Sequence, residues 1–309
     1  MKQMWPFTRR KLLVLLAIVW PRQSSVVESF APMPRRPRRV FSDLQCSASP
    51  GQTVPTAAVG KRHSRKEAQS IINEQLMPER HYSERIGWGR DAQGITEDTG
   101  PLDPSDPRLS RTYAEFPLTS FDKLIDLGLQ YLSTSSKQDG SKPISLVDIG
   151  SGCGRLVFYA AMSRGSDEGP PWEVHGIEIA DLLHERALGY VKGGIEAGIM
   201  SKTQSSNNYN TLSFRLGPAE DYTKILQNAD IVFAYSTAFS AKSFSPALGA
   251  LLLDPEWSAL LSNTCTAGCI AITTDRALDP ACGWDLLDRL DVENAEVFGT
   301  TGYIHLLRK

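Results

Sequence analysis

From about residue 111 onward, two patterns of hydrophobic residues alternate along the chain. Short apolar runs predict buried strands, and stretches with apolar residues three or four positions apart predict helices. Strands are predicted over 144–150, 173–179, 212–221, 229–236 and 268–275. Helices are predicted over 120–133, 155–165, 180–198, within 245–263 and over 283–290.

This alternation predicts an α/β fold, a Rossmann-like doubly wound sheet of seven strands with helices on both faces. The last segment, 295–309, has two β-rich runs around a glycine turn, so it predicts an antiparallel hairpin on a mostly parallel sheet. Residues 111–309 are therefore expected to form one domain. The preceding region, 61–110, is predicted as a helix over 61–86 and a Gly-, Pro- and Asp-rich loop over 87–110, which is typical of a lid or linker.

Charge divides the chain into a basic leader and an acidic body. Residues 1–66 contain thirteen Lys or Arg residues but only two acidic ones, Glu28 and Asp43, whereas the whole chain has a net charge of -2. A broad nucleic-acid surface requires a basic face, so the acidic body argues against one. The five cysteines form no Cys-x-x-Cys pair and the five histidines form no ligand motif, so no metal site is predicted.

The leader has two parts. Residues 1–20 have a basic start and a nine-residue apolar run from Leu12 to Trp20, which suits a signal peptide and is too short to span a membrane. Residues 21–60 are rich in Ser, Pro and Arg, as transit peptides are. This order, with Phe30 in "SFAP", resembles the bipartite presequences of algae with secondary plastids. The resemblance implies a plastid address; the secretory pathway and the nucleus are the alternatives, and no membrane span is expected in the mature form.

The stretch "SLVDIGSGCGRLVFYAA", residues 145–161, joins a predicted strand to a predicted helix through a glycine turn. Gly150, Gly152 and Gly154 let the backbone turn tightly and approach a ligand. Glu178, at the end of the next strand, can accept both hydroxyls of a ribose. Because Asp148 would repel a pyrophosphate at this turn, a cationic nucleoside such as S-adenosylmethionine fits better than a dinucleotide.

"VDIGSGCGR" resembles the first motif of class I S-adenosylmethionine-dependent methyltransferases, "GIEI" their second motif, and "FGTTGYIHLLRK" their last two strands. A narrower resemblance is to the non-SET histone-lysine methyltransferases of the disruptor-of-telomeric-silencing type. It rests on "TYAEFPLTSFD" (112–122), "DIGSGCG" and "GIEIAD" (176–181), and it covers roughly residues 110–280. The chain departs from that family in "FAYSTAFS", where Tyr235, Ser236 and Thr237 replace Asn-Asn-Phe.

The resemblance implies a set of cofactor-binding residues. Tyr113 and Glu115 would fold over the methionine part, Asp148 and the glycine turn would contact it, and Glu178 would hold the ribose. Asp221, with Tyr222 beside it, would face the adenine amino group.

Methyl transfer is an in-line displacement, so the protein mainly supplies orientation and electrostatics. Tyr235 and Ser236 are the candidate catalytic residues because they are predicted to line the acceptor slot just beyond the fourth strand. The expected activity is methyl transfer to an unidentified acceptor, either a protein lysine or a small molecule. The alternatives are a nuclear histone-lysine methyltransferase and a cofactor-binding protein without catalysis.

Overall fold

The computed structural model describes residues 57–60, 62–95, 112–135, 142–164, 169–202, 209–296 and 299–308. The predicted signal-like segment, nearly all of the transit-like segment and most of the predicted lid lie outside the described residues. No helix in the described ranges is long and apolar enough to cross a membrane.

A nine-stranded sheet organises the described part of the chain. Across the sheet, the strands follow the order β10 (Trp284–Val292), β11 (Thr300–Leu307), β9 (Ile270–Thr274), β6 (Ile231–Ala234), β2 (Ile144–Ile149), β3 (Trp172–Glu178), β5 (Asn210–Leu216), β1 (Ala57–Val59) and β4 (Ser201–Lys202). Five central strands are parallel: β9 (Ile270–Thr274), β6 (Ile231–Ala234), β2 (Ile144–Ile149), β3 (Trp172–Glu178) and β5 (Asn210–Leu216). From β2 the chain adds strands first on one side, β3 and β5, and then on the other, β6 and β9. The order therefore reverses beside β2, where doubly wound sheets bind their ligands.

Helices cover both faces of this sheet, as the alternating pattern predicted. All six residues of β2 are buried, because the strand lies at the centre with a helical layer on each side. One face carries α3 (Leu118–Ser135), α4 (Arg155–Ser163) and α5 (Asp181–Glu196). The opposite face carries α6 (Thr223–Gln227) and α7 (Pro255–Thr264). The predicted α/β, doubly wound fold is confirmed.

The sheet has two strands more than predicted, both at one edge. β1 (Ala57–Val59) pairs antiparallel with β5 and with the short β4 (Ser201–Lys202), and its three residues are buried. Ala57–Val59, which the prediction assigned to the transit-like segment 21–60, therefore belongs to the sheet. This strand could not be predicted, because three small apolar residues give no strand signal by themselves. Its burial against β5 stabilises it in the folded protein.

The N-terminal helical region is segmented and longer than predicted. It contains α1 (Arg65–Ser70), a π-helical turn (Ile71–Leu76), a 3₁₀ turn (Glu79–His81) and α2 (Tyr82–Ala92). Ser64 caps α1 and forms a capping box with Glu67. The predicted loop over 87–110 is wrong for residues 87–92, which belong to α2 despite Gly87 and Gly89. Packing of α2 against α5 outweighs the low helix propensity of these glycines.

Two predicted helices are wrong in part or in full. The segment 283–290 is not helical, because β10 (Trp284–Val292) forms the outer strand of an antiparallel hairpin with β11 (Thr300–Leu307). That hairpin therefore spans 284–307 instead of lying within 295–309. Within 245–263, only α7 is helical; it begins at Pro255, where the Asp254 side chain caps it. The preceding residues form a small separate sheet of β7 (Ala241–Ser245) and β8 (Ala250–Leu253).

Candidate active site

A cavity of about 380 Å³ lies at the carboxyl ends of β2, β3 and β6, beside the point where the strand order reverses. Its walls are the glycine turn after β2, the end of β3, the segments 112–116 and 217–220, and residues beyond β6. Seven of the predicted site residues line this cavity: Tyr113, Glu115, Asp148, Gly150, Gly152, Glu178 and Tyr235.

The glycine turn has left-handed backbone at all three glycines, with φ of 76° at Gly150, 55° at Gly152 and 85° at Gly154. A Cβ on Gly152 would lie 2.6 Å from the Tyr113 ring, so this position also requires glycine for a close approach. Gly154 does not line the cavity. It begins α4 as the N-cap, and a Cβ there would lie 2.4 Å from Phe214, so its role in the structure is packing.

Two buried carboxyl groups lie side by side in the cavity wall. Asp148, at the end of β2, is 3% exposed, and burial together with the nearby Glu178 raises the pKa of Asp148 to about 8. Glu178, at the end of β3, accepts hydrogen bonds from the Gly152 amide (2.7 Å) and the Ala180 amide (2.8 Å). In the part of the chain that the structure describes, no basic side chain is paired with Asp148. The cavity therefore contains an acidic group, Asp148, that has no counter-ion among the described side chains.

A buried ion-pair network holds the segment 112–116 in place. Glu115 accepts hydrogen bonds from Arg85 of α2 (Nε to Oε1, 2.5 Å) and from the Tyr113 hydroxyl (2.9 Å). The Nε atom of Arg155, the first residue of α4, lies 3.4 Å from Glu115 Oε2. The Tyr113 ring is packed between Gly89 of α2 and Gly152 of the glycine turn. Glu115 thus links the N-terminal helices to the glycine turn, a role that the sequence did not suggest.

The segment after β5 is at the cavity, but not through the residues that were predicted. Gly217, Pro218 and the residues up to Glu220 line the cavity, whereas Asp221 and Tyr222 do not. Asp221 is exposed, and the Tyr222 hydroxyl donates to the Leu216 carbonyl (2.5 Å). The acidic residue at the cavity is therefore Glu220, one position before the predicted Asp221. The difference arises from the 3₁₀ turn over Ala219–Tyr222, which the sequence does not predict.

The two predicted catalytic residues lie in different environments. Tyr235 lines the cavity, and its ring centroid is 5.0 Å from that of Phe116. Ser236 is fully buried outside the cavity lining; its Oγ donates to the Thr274 carbonyl (2.8 Å) and accepts from the Thr274 amide (3.0 Å). Both bonds tie Ser236 to the backbone of β9, and the structure does not bring it together with Tyr235 at the cavity lining.

Sequence reasoning missed several side chains at the cavity. The aromatic pair Phe239 and Trp257 lines one wall, with ring centroids 5.1 Å apart. Ile179, directly after Glu178, also lines the cavity and is 48% exposed. Ile179 lies within the "GIEI" piece and Phe239 within "FAYSTAFS", but neither was assigned a role there, and no motif marks Trp257. The described residues contain no group of His, Cys, Asp and Glu side chains that could hold a metal ion.

No family model and no curated protein matches this chain. Among solved structures, it is similar to an RNA methyltransferase from Salinibacter ruber in complex with S-adenosyl-L-homocysteine (19% identity over 63% of this chain and 95% of that chain, TM-score 0.38). It is also similar to magnesium protoporphyrin IX methyltransferase from Synechocystis PCC 6803 with bound S-adenosylmethionine (11% identity over 81% and 99%, TM-score 0.36). Likeness at this level is no guide to activity, which depends on the residues of the site.

The Asp148→Asn variant is expected to change how stability depends on pH. Because the pKa of Asp148 is about 8 in the folded protein and about 4 in an unfolded chain, the folded state binds more protons between these values. The contribution of Asp148 to stability is therefore lost as the pH rises from about 4 to about 8. The asparagine side chain cannot titrate, so the variant should gain on the order of 1 kcal/mol of relative stability per pH unit in this window.

Urea unfolding of both proteins at about pH 5, 6.5 and 8 measures this difference, with Asp221→Asn as the control for loss of an exposed carboxylate. A stability difference between wild type and Asp148→Asn that stays constant over the three pH values would show that Asp148 has an ordinary pKa.

Proposed function

We propose that this chain is an S-adenosylmethionine-dependent methyltransferase. The observation that carries the proposal is the pair of buried carboxyl groups at the switch point, Asp148 and Glu178, of which Asp148 has no basic partner among the described residues. A cationic ligand beside Asp148 would lower its pKa and replace the missing counter-ion. S-adenosylmethionine combines such a cation with a nucleoside and has no phosphate.

The glycine turn itself supports a cationic nucleoside over a dinucleotide. Phosphate groups bind to free backbone amides at turns of this kind. Here the Gly152 amide donates to Glu178, and the Gly150 and Ser151 amides donate to the Ile177 carbonyl, so these three donors of the turn are already bonded. A pyrophosphate would have to compete for these donors and would meet the Glu178 carboxylate, and its negative charge would also oppose ionisation of the neighbouring Asp148.

The residues of the cavity fit the parts of S-adenosylmethionine. Asp148 would hold the positively charged part, and Glu178 would hold the ribose hydroxyls. Ile179, Phe239 and Trp257 supply an apolar and aromatic wall, which suits a flat base. When bound, S-adenosylmethionine supplies a methyl carbon that its positive sulfur has already activated.

The remaining task of the protein is to orient the acceptor and to exclude water. Tyr235 and Phe116 form a packed aromatic wall at the end of β6, and the Tyr235 hydroxyl is the polar group on that wall. We infer that this wall contacts the acceptor. An acceptor amine must be neutral when it attacks, and a partly desolvated slot favours the neutral form.

The acceptor is a protein lysine or a small molecule. The "TYAE", "TSFD" and "GIEIAD" pieces support the histone-lysine type, whereas Tyr235, Ser236 and Thr237 stand where that type has Asn-Asn-Phe. The acidic body of the chain supports an acceptor other than nucleic acid. A nuclear histone-lysine methyltransferase and a non-catalytic cofactor-binding protein are the alternatives that experiment must separate from this proposal.

Calorimetry should show binding of S-adenosylmethionine and no comparable binding of NAD. Glu178→Gln removes the charge that holds the glycine turn and the ribose, so the affinity should fall by at least about tenfold. Glu173→Gln, an exposed glutamate on the same strand, is the matched control. Tight binding of NAD without binding of S-adenosylmethionine would refute the proposal.

Tyr235→Phe should retain the affinity for S-adenosylmethionine and reduce turnover, because it removes only the polar group of the acceptor wall. The protein without its leader is incubated with labelled S-adenosylmethionine and a plastid extract, and the label then shows whether the acceptor is a protein or a small molecule. The same incubation with nucleosomes tests the histone alternative. Tyr209→Phe, an exposed tyrosine, is the control. Cofactor binding without transfer to any of these acceptors would favour the non-catalytic alternative.

We further propose a plastid address, which rests on the signal-like and transit-like composition of residues 1–56. A fluorescent fusion of residues 1–56, which ends before β1, should accumulate in the plastid. Accumulation in the secretory pathway or in the nucleus would contradict this address, and a nuclear signal would favour the histone alternative.

A further inference from the structure

We propose that Asn294 is a positioning residue for methyl transfer, because its side-chain amide holds the Tyr235 hydroxyl at the cavity wall. The inference rests on the proposed function and identifies a residue that no motif marks. Asn294 lies in the connection between β10 and β11, 59 residues from Tyr235 in the sequence, and is 3% exposed.

The Asn294 amide uses three hydrogen bonds, and these bonds decide its orientation. Nδ2 donates to the Tyr235 hydroxyl oxygen (2.8 Å) and to Thr300 Oγ1 (3.0 Å). Oδ1 accepts from the backbone amide of Glu296 (3.2 Å). A backbone amide can only donate, so Oδ1 must face Glu296 and Nδ2 must face Tyr235. Tyr235 is therefore the acceptor in its bond with Asn294.

This assignment leaves the Tyr235 hydroxyl with its own proton and one further lone pair, and the Thr237 side chain is the other polar neighbour of this hydroxyl. Its ring is fixed by packing on Phe116, and its oxygen is fixed by Asn294. Because the side chain is held both at its ring and at its oxygen, the hydroxyl proton and the remaining lone pair point in a limited set of directions. Because Tyr235 lines the cavity, an acceptor group there meets a hydroxyl that is already oriented, which reduces the entropic cost of the reacting geometry.

The connection that carries Asn294 is also attached to α2 and to the segment 112–116, which lines the cavity. A Glu296 carboxylate oxygen accepts hydrogen bonds from the Tyr82 hydroxyl of α2 and from the Glu115 amide (3.2 Å). The C-terminal hairpin is thus bonded both to the end of β6 and to the segment 112–116. Asn294 is the residue through which this hairpin contacts the candidate catalytic tyrosine.

Kinetics of single and double variants test the inference. Asn294→Leu removes all three hydrogen bonds at similar volume, and Asn294→Asp keeps the acceptor atom but loses the donor to Tyr235. Both should lower kcat about tenfold and leave the Kd for S-adenosylmethionine within about twofold of wild type. In a Tyr235→Phe background, Asn294→Leu should change kcat by less than about twofold, because the hydroxyl that it positions is absent. Thr300→Val, which keeps the bond to Tyr235, is the matched control for loss of a bond to Asn294.

A second measurement needs neither acceptor nor turnover. With ¹³C at Cζ of tyrosine, NMR reports the state of the Tyr235 hydroxyl, and Tyr235→Phe identifies its signal. Burial raises the pKa of Tyr235, the Asn294 bond lowers it, and Glu296 and Asp275 raise it. Asn294→Leu should therefore shift the Cζ resonance and move its titration to higher pH, whereas Thr300→Val should not.

The outcomes separate this inference from the proposed function. If the wild type binds no S-adenosylmethionine and transfers no methyl group, both fail. If the wild type is active and Asn294→Leu lowers kcat equally with and without the Tyr235 hydroxyl, or leaves the Tyr235 resonance unchanged, the positioning role alone is wrong. A loss of kcat confined to proteins that retain the hydroxyl, together with a shifted resonance, supports it.

Discussion

The hydrogen bond between Glu178 and the Gly152 amide joins the two elements on which the candidate site depends. Glu178 ends β3, and Gly152 lies in the turn after the neighbouring β2, so this bond fixes the turn against the sheet. It also brings the Glu178 charge next to Asp148, and the raised pKa of Asp148 follows in part from that proximity. The Gly152 amide is therefore bonded to a carboxylate instead of being left free for an anion.

A second constraint acts from the N-terminal side. Arg85 is 1% exposed and pairs with Glu115, while Arg155 approaches the same carboxylate from the start of α4. A buried carboxylate with two guanidinium groups is satisfied only when all three elements are in place, so the network favours one arrangement of α2, the segment 112–116 and α4. Tyr113, packed between Gly89 and Gly152, completes this side of the cavity.

The residues of the candidate site that could be predicted are those that follow directly after a predicted strand and also have a side chain or backbone suited to binding a ligand. Asp148, the turn glycines and Glu178 could be found because a strand, a turn and a second strand place them at one edge of any doubly wound sheet. Ser236 could not be distinguished from Tyr235 in the same way, since adjacent residues beyond a strand face different directions. Asp221 illustrates the same limit, because a single 3₁₀ turn places Glu220 instead at the cavity. The helix prediction over 283–290 was wrong because the apolar positions of "WDLLDRL" are compatible with both a helix and a strand. Pairing with β11 makes this segment a strand.

The α/β alternation, the position of the glycine turn and the acidic residues at the ends of β2 and β3 could all be predicted from the sequence, because they follow from local periodicity and from short-range spacing. The folded structure was needed to show that Arg85 and Arg155 converge on Glu115, that Asn294 reaches Tyr235 from the C-terminal hairpin, and that Ala57–Val59 belongs to the sheet. Each of these contacts joins residues far apart in the chain. The local sequence does not predict such pairs, because each interaction stabilises the protein only after folding has brought both partners together and removed them from water.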